Sequence, residues 1–195
     1  NKMNVGRIIL KNLLRGGGVP RERIYLLHPE VDAIDGCRAL RSVEDLPEKV
    51  DMTVFTIPAD ERAAELLEEL ISGERTASIT LISAGFGETE KGTSLDRRLR
   101  ESIGTARKRR SGGVVVNGPN CMGIVSKPGG YNTFFIPEYK LPFGGKFGRR
   151  SAMISQSGAY VVTLVSNLAG LFNPKYMITY GNQIDASVTD YLIAL

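Results

Sequence analysis

The chain has 195 residues, 42% apolar and 24% charged, with a formal net charge of +4. That is the make-up of a globular protein with one sizeable core or two modest ones. No apolar run approaches the ~20 residues needed to cross a bilayer, and the opening residues lack the apolar core of a secretory leader, so no membrane partner is expected.

The basic residues cluster most strongly at Arg107, Lys108, Arg109 and Arg110, the end of a predicted helix. Cations there complement the helix dipole, and no aromatic residues are interleaved to stack bases. No nucleic-acid partner is expected. Cys37 and Cys121 have neither metal-ligand nor disulfide-framework spacing, which predicts no metal site and a reduced, cytoplasmic setting.

In chain order, residues 5–14 place Val5, Ile8, Ile9 and Leu13 on one helical face and stop at Gly16-Gly17-Gly18. Residues 24–27 form a short apolar strand ending at His28-Pro29. Residues 51–57 repeat that form and end at Pro58. Residues 60–70 read as an amphipathic helix with Ala63, Leu66, Leu67 and Leu70 on one side. A strand over 77–83, a helix over 95–110 and a strand over 113–117 follow. The strands are apolar rather than alternating, and no hairpin signal separates them. This predicts a doubly wound α/β domain around a parallel sheet. Such folds open on a strand, so a first strand is expected ahead of Asn1, with Gly6 at the phosphate-binding turn.

Residues 127–150 are rich in Gly, Pro and aromatics and show no helical or strand period. A second α/β unit then begins near Gly148: a strand over 150–155, a helix over 159–168, a strand over 175–180 and a helix over 187–195. The expected organisation is a first domain over residues 1–126, a linker over 127–148 and the start of a second domain over 149–195.

Ligands of open parallel sheets bind at the carboxyl ends of the strands, where turns expose backbone N–H groups. The turns to watch are therefore His28-Pro29-Glu30, Ile57-Pro58-Ala59, Ser83-Ala84-Gly85-Phe86-Gly87-Glu88, Gly118-Pro119-Asn120-Cys121-Met122-Gly123, Ser155-Gln156-Ser157-Gly158 and Gly181-Asn182-Gln183-Ile184-Asp185. Each alone is a weak signal. Together and in this order they resemble the NDP-forming acyl-CoA synthetases, the superfamily that includes the succinyl-CoA ligase α subunit. The most specific matches are Gly118-Pro119-Asn120-Cys121-Met122-Gly123-Ile124 and Ser155-Gln156-Ser157-Gly158-Ala159. Ser83-Ala84-Gly85-Phe86-Gly87-Glu88 and Gly181-Asn182 with Asp185 support them, and Asn132-Thr133-Phe134 looks like a shortened N-x-T-F.

The resemblance implies a Rossmann-like coenzyme-A-binding domain followed by the beginning of a flavodoxin-like ligase domain. It implies that acyl-CoA, phosphate and a nucleoside diphosphate interconvert with acid, CoA and the triphosphate. A histidine carries the phosphoryl group. By the same resemblance, CoA or acyl-CoA would lie against Gly6, Pro29, Thr56, Ile57, Pro58, Ile82, Ser83, Ala84 and Gly85. Asn120, Ser155, Ser157 and Gly158 would serve the catalytic, phosphoryl-holding end. Nucleotide and Mg would belong to a nucleotide-grasp partner domain or subunit, within an oligomeric assembly.

The sequence departs from the family pattern at two points. His28, the one histidine, stands where the family has the asparagine of an N-P-K turn, so the carrier histidine is expected past residue 195. The lysine of that turn, which would help bind a CoA phosphate, is Glu30. An acid there weakens phosphate binding. This departure keeps open a non-catalytic acyl-CoA-sensing module, such as one fused to an acetyltransferase. A dinucleotide-binding oxidoreductase with Glu30 at the ribose is a further alternative.

Plain structural roles compete with the functional ones. His28 and Cys121 read as structural, since no partner is spaced to activate either. Glu88 reads as a solvated acid near a helix start. Asn120 and Asn182 are by default turn residues, and Ser157 by default a helix cap. Pro58, Gly85 and Gly87 suit tight turns as well as ligand approach.

Overall fold

The computed structural model describes residues 4–137, 139–141, 151–169 and 171–195. The boundary expected near Gly148 and the first residue of the strand expected over 150–155 lie outside the described residues.

Helix α1 (Val5–Gly16) starts one residue after Asn4, whose side chain accepts from the Arg7 N–H, and stops at Gly17 in the left-handed conformation (φ 69°). Strand β1 (Tyr25–Leu27) is followed by an antiparallel hairpin of β2 (Ala33–Ile34) and β3 (Cys37–Leu40), with β3 parallel to β1. The reading without hairpins is corrected here. Asp35 and Gly36 both have positive φ, 50° and 81°, which is the backbone of a type I′ turn. The Asp-Gly signal was present, but β2 is too short to show an alternating pattern.

The central unit is β4 (Val50–Phe55), α2 (Glu61–Ser72), β5 (Thr76–Leu81), α3 (Glu90–Arg107) and β6 (Val115–Asn117), with the strands parallel in the order β4-β5-β6. Asp60 caps α2 through the Ala63 N–H at 2.8 Å. Helix α3 begins five residues before the expected Leu95 because Thr89 caps it through the Gly92 N–H at 3.0 Å, ahead of any apolar residue. Successive strand residues face opposite sides of a sheet. Phe55 packs with Leu67, Leu70, Leu95, Leu99 and Ile103 from α2 and α3. Its neighbour Val54 packs with Ile9 and Leu13 of α1, Ile82 and Cys121. Helices therefore cover both faces of the parallel sheet, as the doubly wound pattern requires.

A second sheet has the order β8-β7-β10-β9, from β7 (Ile124–Ser126), β8 (Tyr131–Asn132), β9 (Ala152–Ser155) and β10 (Tyr176–Thr179). Helix α4 (Gly158–Asn167) makes the parallel crossover from β9 to β10 and buries Val161 and Val165 against Val125, Phe134 and Met177. Helix α5 (Val188–Ala194) starts on a capping box of Ser187 and Asp190. The stretch after residue 126, read as free of strands, contains β8, and β7 pairs antiparallel with β10. Both strands are too short for a period to show.

Helix α1 also ties into the second sheet's neighbourhood. The buried Asn12 donates through Nδ2 to the carbonyls of Phe134 at 2.8 Å and Ile136 at 2.9 Å. Among the described residues no helix is long and apolar enough to cross a membrane. Half of the basic cluster is committed to the fold: Arg107 pairs with Asp185, and Arg109 with the Ser72 carbonyl and Glu74.

Thr179, fully buried at the end of β10, accepts from the N–H groups of Met122 at 2.8 Å and Gly123 at 2.9 Å and donates to the Gly123 carbonyl. Thr179→Val keeps the shape and strips an acceptor from two backbone donors. We expect a loss of about 2 kcal/mol or more, read as a lower urea midpoint with an unchanged slope.

Candidate functional site

Because β4, β5 and β6 run the same way, the turns after Phe55, Leu81 and Asn117 lie along one edge of the sheet. The first turn of α1 reaches that edge. A β-carbon on Gly6 would stand 3.3 Å from Thr56 Oγ1. Ile57 and Pro58 are exposed beside them. Ser83, buried at the end of β5, donates from Oγ to the Ile57 carbonyl at 2.5 Å. Ile82 is buried against Ile9 and Cys121, while Ala84 is exposed and Gly85 holds φ 105°. Gly6, Thr56, Ile57, Pro58, Ile82, Ser83, Ala84 and Gly85 therefore form one rim. Pro29 is exposed in the bend after β1, where the His28 N–H donates to the Leu40 carbonyl and so ties this bend to β3.

The turn after β6 is clamped from two sides by backbone. A β-carbon on Gly118 would stand 2.3 Å from the Leu81 carbonyl oxygen, and one on Gly181 would stand 2.0 Å from that of Pro119. Only glycine permits either approach. The Asn120 N–H donates to the Ser83 carbonyl at 3.0 Å. From the other side, Asn182 N–H donates to Pro119 O (2.9 Å), Ile184 N–H to Gly118 O (2.8 Å) and Ala186 N–H to Val116 O (3.0 Å). Asp185 accepts from the Val116 N–H at 2.8 Å and from Arg107. The turn after β10 is thus laced along β6 and its turn.

The Ser155-Gln156-Ser157-Gly158 turn adjoins the same region. A β-carbon on Gly158 would stand 2.6 Å from Met122 Cβ. Ser155 Oγ accepts from the Ser157 N–H at 3.2 Å and donates to the Ser157 carbonyl at 3.0 Å, while Ser157 Oγ caps the Tyr160 N–H at 3.2 Å. The N–H groups of Gly158 and Ala159 belong to the first helical turn, which has no acceptor within its own helix. They form a donor pair at the positive end of α4.

Glu88 joins these turns. Its Oε2 accepts from the Gly85 N–H at 2.7 Å, and its Oε1 accepts from Nδ2 of Asn120 at 2.5 Å and of Asn182 at 2.6 Å. The reading of Glu88 as a merely solvated acid is corrected by these bonds. Partial burial works against its charge. The donors from Asn182, Gly85 and Asn120 outweigh that and hold the carboxyl below the usual carboxylate range.

Cys121 is buried, its thiol directed at the Leu81 carbonyl at 3.3 Å. Burial pushes its pKa up to about 12, so it stays a thiol at neutral pH. The buried Asn117 donates to the Thr179 carbonyl at 3.0 Å and accepts from Tyr191 Oη at 2.6 Å, linking β6, β10 and α5.

Residues 1–127 match the family model described as "CoA binding domain". The chain belongs to the CoA binding domain family. This CoA binding domain chain is 32% identical over 195 residues to the α subunit of the ADP-forming acetate–CoA ligase I of Pyrococcus furiosus, covering 96% of itself and 38% of that subunit. It is 30% identical over 190 residues to the ADP-forming acetate–CoA ligase of Methanocaldococcus jannaschii, covering 24% of that protein. Among solved structures it superposes on the dinucleotide-forming acetyl-CoA synthetase 1 of Ca. Korarchaeum cryptofilum, determined in complex with phosphate and ADP. That match has a TM-score of 0.80 and 25% identity over 98% of this chain and 38% of the other. The chain therefore spans well under half the length of these relatives. The similarity to the acyl-CoA synthetases read from the motifs stands, as does the α/β fold.

Sequence reasoning did not single out Asn117, Thr179 or Tyr191. Their partners lie 62 and 74 residues away in Asn117's case, beyond any local pattern. The three-residue spacing of Gly85 and Glu88 resembles the side-chain-to-backbone closure of a turn and was the one available hint.

A carboxylate with a lowered pKa stabilises the fold above its unfolded pKa and loses that contribution as pH falls through the folded value. Glu88→Gln should lower stability at pH 7 by roughly 1 kcal/mol, read as a lower urea midpoint. The gap to wild type should close as pH drops below about 4. A gap that does not vary with pH would show that the charge is immaterial.

Proposed function

We propose that this chain is the CoA-binding part of an NDP-forming acyl-CoA synthetase. In that reaction acyl-CoA, phosphate and a nucleoside diphosphate interconvert with acid, CoA and the triphosphate. The observation that carries the reading is the meeting of the turns after β4, β5 and β6 at one sheet edge, joined through Ser83 and Asn120, with the turn after β9 of the second sheet brought against Met122 at Gly158. A long phosphorylated thiol needs an extended rim of backbone donors and small residues. The stretch from Gly6 and Thr56 to Gly85 offers one.

In this reading CoA lies along Gly6, Thr56–Pro58 and Ile82–Gly85, with Pro29 at the far end. Asn120 and the 155–158 turn stand at the reacting end. The amides of Gly158 and Ala159 point their dipoles at phosphoryl oxygens, with Ser155 and Ser157 holding the loop in shape. Residues 1–126 make the CoA-binding domain, 127–148 the connection and 149–195 the first part of the ligase domain. The nucleotide and its Mg belong to a nucleotide-grasp partner domain, in a cytoplasmic oligomer. His28 is read as a turn residue rather than the phosphoryl carrier: it stands at the asparagine position of the family's N-P-K turn, and its Nδ1 accepts from the Glu30 N–H at 3.2 Å.

Calorimetry with CoA, acetyl-CoA and dephospho-CoA tests the reading. Saturable heat and a raised melting temperature with CoA are expected. No heat and no shift from any of them in a folded sample would sink it. Glu30 adds a sharper expectation. It is exposed in the turn after β1, at the position matched to a phosphate-binding lysine. Glu30→Lys should tighten CoA several-fold and leave dephospho-CoA unchanged, through attraction of roughly 1 kcal/mol at a solvated site.

A further inference from the structure

We propose that Glu88 is a positioning residue that couples occupancy of the CoA rim to the geometry of the phosphoryl end. The inference rests on the CoA-synthetase reading above and assigns a role that reading leaves open.

The argument begins with valence. An ionised carboxylate offers acceptor sites on two oxygens and carries no donor. Glu88 uses one oxygen for the Gly85 N–H and the other for both Asn120 and Asn182 amides. Gly85 ends the rim that follows β5, Asn120 lies in the turn after β6, and Asn182 lies in the turn after β10 of the second sheet. One side chain therefore joins turns of two sheets.

The asparagines are oriented by the same bonds. With Nδ2 of each held by Glu88, the side-chain carbonyl of each is fixed on the side away from the carboxylate. Asn120 itself adopts φ 55°, a backbone held in place by its N–H bond to the Ser83 carbonyl. A ligand that moves the Gly85 backbone pulls on Glu88, and Glu88 then pulls on both asparagines. Glutamine cannot replace it. One of its two terminal atoms is an NH2 group, which would face a donor instead of accepting from it.

Coupling is a measurable ratio, and it is reciprocal. The full chain would be titrated with CoA, with inorganic phosphate, and with phosphate in saturating CoA. In the wild type, CoA should change the phosphate Kd at least about fivefold, the lower range of coupled sites. In Glu88→Gln the ratio should fall toward one while each ligand alone binds within a few-fold of wild type. Glu90→Gln, which removes an exposed acid at the start of α3, should keep the wild-type ratio. A merely structural role would lower stability or both affinities and leave the ratio intact, and that result overturns the proposal. So does a wild-type ratio of one. If Glu88→Gln does not fold, Asn182→Ser removes Glu88's own bond to the turn after β10 and leaves its bonds to Gly85 and Asn120 in place; the same fall in ratio is expected, and an unchanged ratio is decisive against. A wild type that binds neither ligand defeats the CoA-synthetase reading itself and this inference with it. A wild type that binds both, with Glu88 immaterial to the ratio, defeats this inference alone.

Discussion

Backbone-to-backbone contact at the carboxyl edge of the parallel sheet is the constraint on which the rest of this molecule turns. At Gly118 and Gly181 the space for a β-carbon is already taken by the carbonyls of Leu81 and Pro119. That closeness lets the 182–186 stretch donate its N–H groups to Val116, Gly118 and Pro119, and so carries the second sheet up against the first. Apolar burial reinforces this seam, since Ile184 of the same stretch packs into the cluster around Leu67 and Leu99. The apolar clusters lie on either side of it, around Leu67 and Leu99 on one side and Val161 and Met177 on the other.

The seam explains why several buried polar side chains here bond to backbone groups of the turns. Buried backbone groups must find partners, and turns cannot supply them from a regular ladder. Thr179, Thr133 and Asn117 do so instead. Thr133 Oγ1 accepts from the Ile124 N–H at 2.8 Å and donates to the Ile124 carbonyl at 3.0 Å. Asn117 ties β6 to Thr179 and Tyr191. These bonds pair backbone groups of the turns around β6 and β10. Glu88 and its asparagines bring charge to the same place, under a carboxyl kept ionised by its donors.

The N-terminal helix has a double attachment that fits this arrangement. Its apolar side, Ile9 and Leu13, covers the parallel sheet, and its buried Asn12 holds the carbonyls after β8. The helix start, with Gly6 against Thr56, is thereby fixed relative to both sheets. Under the function proposed above, that helix end would meet a CoA phosphate, toward which dipole and N–H groups act over a short reach.

Much of the fold was legible in the residues. Apolar runs closed by glycine or proline located β1, β4, β5, β6, β9 and β10 within a few residues, and the 3.6-residue period located α1 and α2. The ordered turn motifs identified the family resemblance. These features are local: a strand's burial on both faces and a helix's apolar stripe are written in adjacent residues. The pairing of β7 with β10, the two-residue β8 and the β2–β3 hairpin were not legible, since such short segments carry no period. Nor was Glu88 recognisable as a junction, because its partner Asn182 is 94 residues distant. The sequence by itself determined which turns carry small and polar residues. Only tertiary structure decided which of those turns meet, because hydrogen-bond partners remote in the chain are chosen by packing and not by neighbours.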